Sequence, residues 1–266
     1  MKTFRFIGMA LIAVFMCVNF TACSDDDGGN GGGDNKRRIK KVVMTDSYGT
    51  KKEVAYTYDR EGELITAIET IDAGEWKYSD GYHYYWADGS IIITLESWDE
   101  HNGNISNVQE HRSTLTLENG LVQSIKDDHY TRPITYNKDR IAEISIAPFG
   151  NVLTRLQWDN DKLLYTQSYD RDIYLTYGTT CNKGYFPMMC YFIDGTANEA
   201  LFNAHPELIG AYSTKLPTKM KSTSDKWEEE NYTQDISYAF DNDGYISKAT
   251  AVTDDGETTT MIFTWE

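Results

Sequence analysis

From Ile39 to the C-terminus, apolar residues alternate with polar ones over short stretches, and turn residues interrupt them at regular intervals. Tyr56 and Tyr58, or Ile236, Tyr238 and Phe240, stand two apart. That period puts side chains on one face of a strand. The alternation runs into Asp, Asn or Gly and resumes after an aliphatic residue. One such segment reads Tyr56-Thr57-Tyr58-Asp59-Arg60-Glu61-Gly62-Glu63-Leu64, and the pattern returns at 115–125, 134–144, 156–163 and 236–246, with a looser copy at 84–93. Each is a predicted β-hairpin, its turn supplied by residues that cap with their side chains or accept positive φ. Copies at Leu117 and Tyr136 are 19 residues apart and Trp158 follows after 22, so successive hairpins should pair edge to edge. The predicted fold is all-β: a curled antiparallel meander of hairpins, forming an open or partly closed barrel-like sheet.

One stretch breaks the rhythm, at about 178–225. Thr196-Ala197-Asn198-Glu199 has the form of a capping box opening a short helix, which should run to Ala204 and end at His205-Pro206. Leu201, Phe202, Leu208 and Ile209 are then its inward residues, and Gly210 with Leu216-Pro217 marks the exit. This small helical insert reads either as a cap on the open end of the sheet or as part of a ligand site.

Composition agrees with strands. The chain has 19 Tyr, 10 Phe and 6 Trp but only 5 Pro, and aromatics suit a pleated, half-buried surface. The first residues belong to no fold. Lys2 and Arg5 precede an apolar run at 6–20, too short to span a bilayer comfortably and of the length of a signal sequence. It ends in Phe20-Thr21-Ala22-Cys23, which resembles a lipobox. The division that follows is a lipoprotein signal peptide at 1–22, a lipidated Cys23 with a flexible Asp/Gly linker at 23–38, and a single β-sheet domain at 39–266. The linker cannot bury a core and spans ~20 Å as a coil. Without Lys2 and Arg5 the chain carries 23 basic against 41 acidic residues, a formal charge of −18. Such a field disfavours nucleic acid, whose binding depends on phosphate neutralisation.

The Ser24-Asp25-Asp26-Asp27 run resembles the acidic export signal of Bacteroidota lipoproteins. It implies an outer-membrane lipid anchor at the cell surface, with the periplasmic face as the alternative. The hairpins resemble the YD repeats of the RHS family, Tyr58-Asp59 with Gly62 and Leu64 being the nearest match. The whole arrangement resembles a Bacteroidota surface lipoprotein family of unknown function. That resemblance implies a curled sheet and brings no catalytic residue with it.

Chemistry is sparse. No Gly-x-Ser-x-Gly elbow, His-Glu-x-x-His, P-loop or Cys-x-x-Cys is present, and no cofactor or metal ligand set is expected. Cys181 and Cys190 either form a disulfide, closing a short loop for about 2–3 kcal/mol, or are separate buried thiols. Trp76, Tyr84, Trp86 and Trp98 are candidates for stacking on a ligand, against the plainer reading of cross-strand packing. The functional expectation is a non-enzymatic module binding glycan or protein, or a scaffold. Its rival is a glycan-acting hydrolase with paired carboxylates in a concave sheet face.

Overall fold

The computed structural model describes residues 37–74, 76–101, 104–168, 171–184, 196–210, 212–224 and 231–266. Cys23, the linker and Cys190 lie outside them. The strands are β1 (Ile39–Thr45), β2 (Lys51–Tyr58), β3 (Leu64–Asp72), β4 (Trp76–Ala87), β5 (Ser90–His101), β6 (Asn104–Glu118), β7 (Leu121–Lys126) and β8 (Thr131–Asn137). They continue as β9 (Arg140–Ile146), β10 (Asn151–Asp159), β11 (Lys162–Ser168), β12 (Asp172–Cys181), β13 (Lys215–Thr223), β14 (Tyr232–Phe240), β15 (Ile246–Thr253) and β16 (Thr258–Trp265). Each pairs antiparallel with its neighbours in sequence. Every predicted hairpin is present, with Asn119 and Gly120 at φ 53° and 79° making one of the tight turns.

The expectation of an open or partly closed sheet is corrected. β1 pairs with β16 from Ile39↔Trp265 to Thr45↔Thr260, and the sixteen strands form one closed barrel. Closure leaves no sheet edge.

One device repeats around the barrel. Where β2 meets β3, Tyr58 stands opposite Leu64 but Thr57 stands opposite Thr66, so Ile65 is an extra, bulged residue. The same slip follows Val122, Ile141, Leu163, Pro217 and Ile246, and it recurs after Ile39 where β1 meets β16. Each bulge also ends the ladder to the strand on the other side, leaving the carbonyl of the preceding residue without a ladder partner. An aromatic tip on that neighbouring strand takes its place. Tyr58 donates to Ile39 O at 2.8 Å, Trp86 to Leu64 O at 2.9 Å, and Tyr136 to Val122 O at 2.5 Å. Trp158 donates to Ile141 O, Tyr238 to Pro217 O and Trp265 to Ile246 O, each at 2.7 Å. Tyr177 is a variant: its hydroxyl bonds to the Leu163 backbone and lies 3.1 Å from Ser213 Oγ. The exception is instructive. β5 has no bulge at this level, and the matching residue of β6 is Leu117, which has no polar tip.

These clasps lie at one end of the barrel, and the insert begins there because it replaces a hairpin turn, between β12 and β13. Its helix α1 (Thr196–Ala204) ends before His205-Pro206 as expected, and a 3-10 turn (Pro206–Ile209) follows. The strands reach into the 178–225 stretch from both sides, β12 to Cys181 and β13 from Lys215. Leu201, Phe202 and Ile209 are fully buried in the same hydrophobic cluster as Tyr82, Ile91, Ile141, Leu163 and Leu216. His205 accepts from Leu64 N at 3.3 Å and meets the Trp86 ring edge-on. Arg140 reaches the carbonyls of Gly210 and Tyr212 at 3.3 and 2.7 Å. The insert therefore fills the lumen at that end and stops one mouth, with Glu199 beside β2 and β3.

Candidate functional site

The lumen is not full. A cavity of about 680 Å³ remains between β11–β16 and β1–β2, within the range of small-molecule sites. Its origin is readable strand by strand. Two inward positions of β15 are the small residues Ala249 and Ala251, and both line the cavity. The walls are Ile173 and Leu175 of β12, Met220 of β13, Ile236 of β14, Met44 of β1 and Met261 of β16. Toward the mouth opposite the insert the lining turns polar: Asp46, Thr50, Lys52, Ser168, Arg171, Tyr232, Gln234 and Thr259. Asp46 Oδ1 accepts from the backbone N of Tyr48 and of Thr50, both at 2.9 Å, which fixes the β1–β2 turn at the rim. Gln234 Nε2 lies 3.7 Å from Met220 Sδ across the wall.

Lys52 links this cavity to the insert. Its Nζ is 3.1 Å from Glu69 of β3 and 3.7 Å from Glu199 of α1. Burial pushes the pKa of each carboxyl up, while Lys52 pulls it down. Glu199, expected to cap its own helix, reaches Lys52 on the wall. These two carboxylates answer to one lysine, and neither lines the cavity. Among the described residues, no group of three His, Cys, Asp or Glu could hold a metal.

The predicted stacking aromatics do not assemble. Tyr84 is buried in the lumen, and Trp86 is clasped to Leu64 O against His205. Trp98 lies over Gly81 on the outer wall, where an added Cβ would come within 3.2 Å of the indole. Trp76 is half exposed at the far end of β4. Cys181 is disulfide-bonded, and its expected partner Cys190 is outside the described residues. The cavity itself had only a faint sequence signal, Ala249 and Ala251 where the period calls for large side chains.

The outer wall bears on setting. Outward positions carry Lys51, Glu53 and Thr57 on β2, Arg155 and Gln157 on β10, Lys219 and Lys221 on β13, and Asp235 and Ser237 on β14. Ion pairs cross it, Lys41–Glu53 at 2.7 Å, Arg155–Glu143 at 3.1 Å and Lys219–Asp235 at 3.2 Å. Ile68, Val252 and Ile262 are exposed on it as well. A membrane-spanning barrel shows the reverse order, an apolar band outside and polar residues within. No helix among the described residues is long and apolar enough to cross a membrane.

No known protein family matches the chain, and no curated protein does. Solved structures do match in fold. A porin-like protein from Bacteroides uniformis superposes with a TM-score of 0.62 at 17% identity, covering 86% of this chain and 96% of that one. A porin-like protein from Bacteroides vulgatus gives 0.45 at 9% identity, with 86% and 98% covered. The first likeness establishes the closed antiparallel barrel as a fold that this chain shares with a Bacteroides protein.

Proposed function

We propose that the protein is a non-enzymatic, lipid-anchored binding module of the outer membrane, whose barrel stands in water and takes a small molecule into its lumen. The observation that supports this reading most strongly is the apolar-walled cavity, stopped at one end by the insert and polar at the other mouth. The anchor is Cys23 and the tether the Asp/Gly linker, which would present the barrel at the cell surface. A lipid-exposed wall would have to bury Arg155, Lys219 and Lys221, each costing about 2–4 kcal/mol near the bilayer midplane.

Three measurements test this. Metabolic labelling with an alkyne fatty acid should mark the wild type and not Cys23→Ser. Reconstitution into planar bilayers should give no channel conductance; a stable porin-type conductance would overturn the water-standing barrel. A thermal-shift screen of small molecules should yield ligands whose effect disappears in Ala249→Trp. Turnover of a substrate by the wild type, abolished by a carboxylate substitution, would replace the binding reading with an enzymatic one.

A further inference from the structure

Resting on the reading of the lumen as a binding site, we propose that its occupant is an uncharged amphiphile. One unbranched aliphatic chain lies in the depth of the cavity, and a head bearing hydroxyl or amide groups stays at the polar mouth.

The level at which the lining changes carries the first half of the argument. The change falls between one inward residue and the next, from Gln234 to Ile236 on β14, from Thr259 to Met261 on β16, and from Arg171, just before β12, to Ile173. A wall divided so sharply suits a guest whose own polar and apolar parts are separate. Below that level the walls are aliphatic and thioether, and methionines from three strands face the same space. Unbranched thioethers adapt their shape to a flexible guest better than branched side chains do. A sugar would ask for something else, an aromatic plane with polar side chains converging on its hydroxyls. Among the described residues the deep lining has neither, and the one aromatic residue of the whole lining, Tyr232, sits at the polar end.

The second half is what the mouth leaves for a head to meet. Its charges are already answered. Lys52 is 3.1 Å from Glu69 and 3.7 Å from Glu199, Asp46 accepts from two amides of its own turn, and Arg171 is partnered as well. A charged head would have to draw one of these groups from its partner or enter without a counter-charge, and a buried charge left unpaired is costly. The rest of the polar lining is neutral, with hydroxyls on Thr50, Ser168, Tyr232 and Thr259 and the amide of Gln234. Gln234 Nε2 stands at the boundary, 3.7 Å from the thioether sulfur of Met220, and sulfur is a weak acceptor. An oxygen of a neutral head would take that donor better, with its chain running on past Met220 into the apolar depth.

The test uses the mature chain with Cys23→Ser, which stays free of added acyl groups, and probes kept below their aggregating concentrations. Calorimetry and native mass spectrometry would compare monoacylglycerols from octanoyl to dodecanoyl with dodecanoate, dodecyltrimethylammonium and a set of soluble oligosaccharides. Dodecanoylglycerol should bind one to one, equally well at low and high salt. Affinity should rise about fourfold per methylene along the series. Ala249→Leu should weaken dodecanoylglycerol more than octanoylglycerol, because it shortens the space for the chain. Gln234→Leu should cost every monoacylglycerol about fivefold, the worth of one neutral hydrogen bond, and leave the dependence on chain length intact. Preference for dodecanoate or for the ammonium probe overturns the uncharged head. Binding of an oligosaccharide and of no amphiphile overturns the ligand class while leaving the lumen a binding site. Ligands from the wider thermal-shift screen with none from this set do the same. Failure of every probe, together with failure of the wider screen, removes both.

Discussion

Replacing Tyr58, Tyr136 or Tyr238 by Phe removes one oxygen and little else. At each position the hydroxyl is the donor for a carbonyl that the adjacent bulge has released from the ladder. Burial raises the pKa of all three phenols well above the ordinary tyrosine value, so the tips stand away from water. A hydrogen bond is worth about 1 kcal/mol net, and a carbonyl left dry costs about 1–3 kcal/mol. Each single variant should therefore lose about 1–2 kcal/mol. The three sites are on β2, β8 and β14 and share no partner, so the costs should add. The triple variant should lose about 3–6 kcal/mol, a large share of the 5–15 kcal/mol that holds a domain together.

Urea unfolding measures this directly: midpoints should fall while the slope stays constant, because the buried surface is unchanged. Leu117→Tyr is the control, since β5 has no bulge to release a carbonyl and a hydroxyl there should gain nothing. Alkali supplies a second arm. The folded-state pKa of these phenols is raised, so their contribution is complete below the unfolded tyrosine pKa near 10 and is lost as pH rises above it. The triple variant should show a shallower fall of stability above pH 10. The reasoning is refuted if all three substitutions cost less than about 0.3 kcal/mol, or if Leu117→Tyr stabilises as much as they destabilise.

Four further outcomes follow from named contacts. Glu69 and Glu199 have raised folded-state pKa values, so stability tied to them is complete below the unfolded glutamate pKa and declines as pH rises through the folded one. Melting temperature should therefore be lower at pH 7.5 than at pH 5.5, and Glu199→Gln should flatten that difference. Lys52→Met strands both acids at neutral pH and should cost about 3 kcal/mol there, less at pH 5, by the same melting assay. Gly210→Ala puts a Cβ 1.8 Å from Asp139 O at φ +57°; it should loosen the insert, seen as faster amide exchange in α1 with the strands still protected. Gly184→Ala drives a methyl to 2.3 Å from the Trp265 ring, which clasps Ile246 O. About 1–3 kcal/mol should be lost by urea unfolding.

The hairpins were legible in the sequence because an aromatic, a turn and an aliphatic residue recur at a spacing that only a meander uses. Closure was not, and the clasp explains why. Trp158↔Leu163, with Leu164 bulged, is a complete unit within one stretch of chain. Ile39↔Trp265, with Lys40 bulged, is the same unit cut in two, its aromatic half at the C-terminus and its aliphatic half 226 residues earlier. Tyr177↔Pro217 is the same unit again, spread apart by the insert. Read locally, Trp265 and Ile39 are unmatched ends of a sheet; read as half-units, they complete each other only when the sheet closes. A repeat whose first and last copies are complementary halves encodes a ring. The looser copy at Trp86↔Ile91, the one hairpin of this end without the bulge, carries the same logic: Leu117 could lose its polar tip because no carbonyl waited for it. The cavity left less trace, since two alanines in an alternating strand read as ordinary sheet. Only the assembled wall shows that Ala249 and Ala251 line a cavity together with Met220 and Ile236. A site made by what side chains leave out is written in the fold's geometry more than in any motif. Its occupant is then decided by the walls' chemistry, here thioether and aliphatic beneath a polar rim.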